Sequence, residues 1–71
     1  MRKVILEFTL NGHKHTYYRR TDIFGKPVTT TNMHSARKIK EGDVPGIVKL
    51  LITEYGKDNV TDVNPIDGDD Q

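Results

Sequence analysis

Val4, Leu6, Phe8 and Leu10 alternate with Lys3, Glu7 and Thr9, so residues 2–10 describe a strand with one apolar face. Ile5 breaks the alternation, as an exposed or sheet-covered apolar residue does. Asn11-Gly12 follows, and this dipeptide is a strong hairpin signal because both turn positions need positive φ. Residues 13–20, rich in Thr and Tyr, form the partner strand. A two-residue turn pairs Leu10 with His13, Phe8 with His15, Leu6 with Tyr17 and Val4 with Arg19. Paired residues share a face, so His13, His15 and Tyr17 are expected on the apolar side. Lys14, Thr16, Tyr18 and Arg20 then point to the other side. There Arg20 opposes Lys3, a like-charged pair that is unfavourable unless an anion or carboxylate lies between them.

Farther along, Thr21 to Pro27 reads as a turn punctuated by Gly25 and Pro27, and Val28-Thr29-Thr30-Thr31 as a third strand. Asn32 or Thr31 can cap a short helix running to about Lys40, with Met33, Ala36 and Ile39 at spacing three. The principal helix has Asp43 as N-cap, Pro45 in its first turn and Gly56 as its stop. Val44, Ile47, Val48, Leu51 and Tyr55 recur at three and four and give it one apolar face. Val60-Thr61-Asp62-Val63 closes the pattern as a short strand before Pro65. The expected fold is α+β: a hairpin extended to three or four antiparallel strands with one main helix packed on it. Residues 1–66 form a single small domain, and 67–71 an acidic tail expected to be disordered.

The chain has 71 residues, of which 34% are hydrophobic, with no Cys and no Trp. That is near the lower limit for a self-sufficient core, so a metal, a partner or oligomerisation would help. Disulfides, thiol nucleophiles and cysteine-based zinc sites are excluded. No apolar run approaches the roughly 18 residues of a membrane span, and no signal-peptide layout is present, so a cytoplasmic location is expected. The net charge of +1 hides a polarised chain. Residues 1–40 carry nine Lys or Arg against two acids, and residues 41–71 two Lys against eight acids, giving +7 and −6. The halves either neutralise each other on folding or present two oppositely charged faces.

Three constellations carry candidate chemistry. His13-x-His15 places two imidazoles on one strand face, roughly 6–7 Å apart from the strand rise. Imidazole suits zinc, nickel or copper, and His34, after the third strand, or a carboxylate would complete a candidate zinc site; the alternative is ordinary polar strand residues. Lys14, Tyr18 and Arg20 mix cations with an aromatic ring, the chemistry of phosphate neutralisation and base stacking, although the acidic half repels a polyanion. The carboxylates Asp58, Asp62, Asp67, Asp69 and Asp70 suit a basic groove on a protein partner or are simply solvated. Ser35 is the only serine and has no evident base beside it, and no Gly-rich phosphate loop is present, so a non-enzymatic protein is expected.

The run Tyr17-Tyr18-Arg19-Arg20-Thr21-Asp22-Ile23-Phe24-Gly25-Lys26-Pro27-Val28, followed by Thr-Thr and an Ala-containing short helix, resembles small accessory proteins of Gram-positive phages and prophages. The likeness spans residues 1–60 and is one of pattern. Some small phage proteins of this size and composition are anti-CRISPR inhibitors of type II effector nucleases. The resemblance therefore implies a monomer in the host cytoplasm that binds and inhibits a host protein, with Cas9 as the concrete partner. The alternatives are nucleic-acid binding through the basic hairpin and a structural phage component.

Overall fold

The computed structural model describes residues 2–68 and has the expected α+β architecture, an antiparallel sheet curled around one helix. β1 (Lys3–Leu10) is the central strand. Val4 pairs with both Ile39 and Asp67, and Glu7 with both Tyr17 and Asn64, so both edges of β1 are occupied. β5 (Val60–Asp67) runs along one edge from Val4 to Leu10. The opposite edge is shared: β2 (His13–Thr21) pairs with Glu7 to Leu10, and β4 (Lys38–Lys40) pairs with Lys3 to Ile5. Beyond Tyr17, β2 leaves β1 and continues as a hairpin with β3 (Pro27–Thr30). The Arg37 amide donates to the Tyr18 carbonyl at 3.1 Å and closes the fork between β2 and β4.

α1 (Val44–Tyr55) begins after Asp43, carries Pro45 in its first turn and ends at Gly56, as the sequence requires. Asp43 makes no side-chain capping bond; a 3-10 turn over Glu41–Asp43 leads directly into the helix. Gly56 has φ +96°, a conformation that L side chains avoid, and its amide closes the helix on the Ile52 carbonyl. Leu51 is fully buried and meets Val4, Leu6, Phe8, Tyr18, Ile39 and Val60 in the core. Val44, Ile47, Val48, Ile52 and Tyr55 pack around that centre, so the predicted helical stripe is the buried one. The Tyr55 hydroxyl donates to the Pro27 carbonyl at 3.4 Å, tying the helix end to β3. No helix among the described residues is long and apolar enough to cross a membrane.

Three boundaries differ from expectation. The segment 32–40 is not a helix: Asn32 caps a single 3-10 turn, Met33–Ser35, by accepting the His34 amide at 3.0 Å, and the chain is extended again at Ala36. Lys38-Ile39-Lys40 then fills the part of β1's edge that β2 has left, with Ile39 turned into the core. The spacing of Met33, Ala36 and Ile39 fits both arrangements; tertiary pairing decides between them. The last strand runs through Pro65, which pairs with Leu6. Among the described residues β5 pairs only with β1, so Pro65 lies on an edge strand, where its missing N–H breaks no second ladder. Asp67 therefore belongs to β5 and not to a tail, and the Gly68 amide donates to the Lys3 carbonyl at 3.0 Å. Asp69 and Asp70 lie outside the described residues.

Candidate functional site

The Asn11-Gly12 turn forms as expected, with φ +51° and +83°, and Leu10 pairs with His13. The next pairs are Phe8 with Thr16 and Glu7 with Tyr17, one residue out of the expected register. Between them Lys14 and His15 together oppose Thr9, which is a β-bulge, and His15 takes φ +61° to accommodate it. A one-residue shift sends every later side chain to the opposite face. The expected Phe8–His15, Leu6–Tyr17 and Val4–Arg19 pairs are thus replaced, and Arg20 lies opposite Val28 instead of Lys3. Thr16 and Tyr18 now point to the core side, at 4% exposure each. Tyr18 is a core residue with its hydroxyl 2.7 Å from that of Thr21, so its ring is buried and not displayed on the outer face of the hairpin.

The same shift separates the histidines. His15 lies on the outer face of the sheet, with Nδ1 3.0 Å from Glu7 Oε2. Tyr17, also on the outer face, donates its hydroxyl to the same oxygen at 3.0 Å. The hydrogen bond from His15 is the main cause that holds the Glu7 carboxyl below its ordinary range, with burial opposing it and the Tyr17 bond assisting. Burial first, then the Glu7 carboxylate, pushes the Tyr17 hydroxyl up. His13 is exposed at the hairpin end, and His34 sits in the 3-10 turn beside Ile5 and Lys38. Among the described residues no three His, Asp or Glu side chains come together to hold a metal ion, so His13, His15 and His34 do not form the expected trio.

A second bulge faces the first across β1. Between the Glu7–Asn64 and Thr9–Thr61 pairs, β5 carries one extra residue, and Asp62 takes φ +52°. Thr9 donates to Asp62 Oδ2 at 3.2 Å. Glu7, Thr9, Lys14, His15, Asp62 and Asn64 line a polar concavity of about 300 Å3 between the two bulges. Lys14 and Asp62 are therefore neighbours, not members of opposed basic and acidic faces. Asp67 is bridged to Arg2 at 3.6 Å, and Arg2 also lies 3.8 Å from Glu41. Asp58 is exposed in the turn before β5. Among the described residues, Asp58 in the turn, Asp62 at the bulge and Asp67 at the end of β5 are spread along the chain and do not form a single patch.

The surface the sequence reading passed over is the loop between β2 and β3. Asp22 Oδ1 accepts the amides of Phe24 and Lys26, each at 2.9 Å. The Asp22 amide donates to the Lys26 carbonyl at 2.8 Å, and the Gly25 amide to the Asp22 carbonyl at 3.0 Å. Gly25, at φ +81°, supplies the left-handed position that the turn needs. This organised loop holds Ile23 and Phe24 outward, 93% and 80% exposed. Exposed Arg19, Arg20 and Lys26 flank them, and among the described residues no carboxylate pairs with these cations. Two bulky apolar residues inside an Asp-to-Pro turn were the available signal, since a turn needs no such side chains. Comparison with known proteins finds no matching family model, no similar curated protein and no similar solved structure.

Proposed function

We propose that this chain is a non-enzymatic binding protein that docks the β2–β3 hairpin tip onto a protein partner. The partner surface is an apolar pocket rimmed by carboxylates, into which Ile23 and Phe24 insert while Arg19, Arg20 and Lys26 meet the rim. The observation that carries this reading is the near-complete exposure of Ile23 and Phe24 on an internally hydrogen-bonded turn. Burying both side chains contributes about 3–6 kcal/mol of transfer free energy. Because the turn is ordered beforehand, little of that is spent on fixing the loop. Clustered apolar anchors with charged surroundings are the usual centre of an interface.

A host protein is the partner class that the phage-like sequence pattern supports, and a type II CRISPR effector nuclease such as Cas9 is the first to test. A second reading draws on the same residues: Phe24 can stack on a base while the three cations neutralise phosphates. The test is binding of the purified chain to several Cas9 orthologues and to single- and double-stranded DNA, each at low and moderate salt, alongside a double Ile23→Ser, Phe24→Ser variant. Docking on a nuclease gives a complex that survives moderate salt, reduces DNA cleavage and is lost in the double variant. Nucleic-acid binding that falls steeply with salt supports the second reading. Binding to none of the nucleases removes Cas9 as partner, and Cas9 binding that the double variant retains refutes the tip as the docking element.

A further inference from the structure

An open groove of about 580 Å3 lies where β2 parts from β4, facing the first two turns of α1. Tyr18, Ile39 and Ile47 reach it from the core. Four other residues that line it are not what the fold alone asks for. Leu50 is apolar and half-buried, yet it does not pack on the core as Ile47, Val48 and Ile52 do. Gly46 lies in the helix at ordinary φ, and a Cβ built there would meet nothing within 4 Å. No close packing requires a glycine at that position, and glycine weakens a helix relative to alanine. Asp43 occupies the N-cap position, yet its side chain caps nothing and stays exposed. Arg37 closes the fork through its backbone amide only; among the described residues no carboxylate pairs with its guanidinium.

We propose that this groove is a second docking site, which takes an extended segment of a protein partner carrying one bulky apolar side chain between an acidic and a basic residue. The apolar side chain packs on Ile39, Ile47 and Leu50. The acidic neighbour meets Arg37 on the strand side, and the basic neighbour meets Asp43 on the helix side. Charge complementarity thus selects the occupant: a rim with one uncommitted cation and one uncommitted carboxylate suits a segment bearing both signs. The missing side chain at Gly46 lets that segment lie against α1. An open groove leaves much of a small molecule in water, whereas a chain segment is itself wet on its outer side. Its volume gives room for one large side chain and the backbone beside it. Thr21 lines the groove and Asp22 opens the β2–β3 loop, so one partner can fill both groove and tip. Occupancy of the groove does not require that the tip docks.

NMR titration of the full chain with end-capped pentapeptides tests this. Gly-Glu-Phe-Lys-Gly and Gly-Lys-Phe-Glu-Gly present the two orders of charge, and the favoured one should bind with a Kd of about 1 mM. The amides of Ile39, Gly46, Ile47 and Leu50 should shift on binding. Replacing the peptide's Phe by Ala should weaken binding roughly tenfold, and replacing both its charged residues by Gln about threefold at low salt. The double variant Arg37→Glu, Asp43→Arg should transfer the preference to the other order. Gly46→Leu fills the groove where the fold has open space, so it should abolish binding while the Tm holds or rises. If it does not fold, the charge reversal decides. Absence of shifts at these residues with either order up to about 10 mM overturns the proposal, as does a folded Gly46→Leu that binds undiminished or a charge reversal that leaves the preference unchanged. The Ile23→Ser, Phe24→Ser variant should bind the peptides as the unmodified chain does, so a failure of the tip reading registers separately.

Discussion

His15 offers a substitution pair whose order of stability depends on the bulge alone. Both His15→Ala and His15→Gly remove the imidazole and its 3.0 Å contact with Glu7, so that loss cancels between them. The side chain is 75% exposed, so burial also contributes little to the difference. What remains is the backbone. At φ +61° an L residue costs roughly 1–2 kcal/mol that Gly does not incur. Gly gives back about 0.4–1 kcal/mol through its greater freedom in the unfolded chain. The Gly variant should therefore be the more stable by about 0.5–1 kcal/mol. In a flat strand the order reverses, because Gly is there the worse residue by a similar amount. Urea denaturation monitored by circular dichroism resolves a difference of this size, and a Tm offset of about 3–8 °C should accompany it for a domain of this length. An Ala variant at least as stable as the Gly variant would refute the bulge, and with it the outward placement of His15 and the burial of Tyr18.

Other outcomes follow from the same geometry. Leu51→Ala, at a fully buried position where helix meets sheet, should cost about 3 kcal/mol by chemical denaturation, enough to unfold a marginal domain. Gly12→Val should cost roughly 1 kcal/mol or more in the same assay, since a β-branched residue resists the φ of +83° at the hairpin turn. Glu7 has a folded pKa below its ordinary value of 4.5, so its contribution to stability is complete above that value and is lost as pH falls through the lower folded one. A pH series of denaturation midpoints should show an acid-side loss that is smaller in Glu7→Gln; equal slopes for the two proteins would contradict the Glu7–His15–Tyr17 arrangement.

Most of the frame was legible in the sequence. Alternation broken only at Ile5 identified β1, Asn-Gly the turn, and three-four spacing between Pro45 and Gly56 the helix, because each pattern has few physical alternatives. The bulges were not legible, since His15 and Asp62 adopt positive φ without a glycine to advertise it, and both residue types tolerate that region better than most. Tyr17-Tyr18 conceals the resulting shift, as either ring suits a core position and only the strand parity tells them apart. β4 has a single apolar residue, Ile39, and forms because β1 has an unfilled edge that no local pattern records. On the site, Lys14 and Arg20 are exposed as expected, whereas Tyr18 is buried by the shift, and the metal trio assumed a face that His13 and His15 do not share. The turn pattern of Thr21 to Pro27 leaves Ile23 and Phe24 without a role, because a turn is recognised by its Asp, Gly and Pro, not by what it displays.

The β2–β3 tip is proposed as a docking element whose apolar residues serve a partner and not the fold. The most direct measurement compares the unmodified chain with the double Ile23→Ser, Phe24→Ser variant, first by thermal denaturation and then by calorimetric titration against a Cas9 orthologue that binds the unmodified chain. Side chains 93% and 80% exposed contribute almost nothing to the core, so the Tm should stay within about 2 °C while affinity falls at least a hundredfold. A fall in Tm of several degrees would show that Ile23 and Phe24 serve the fold, and an affinity unchanged by the substitutions would refute the tip as the docking element.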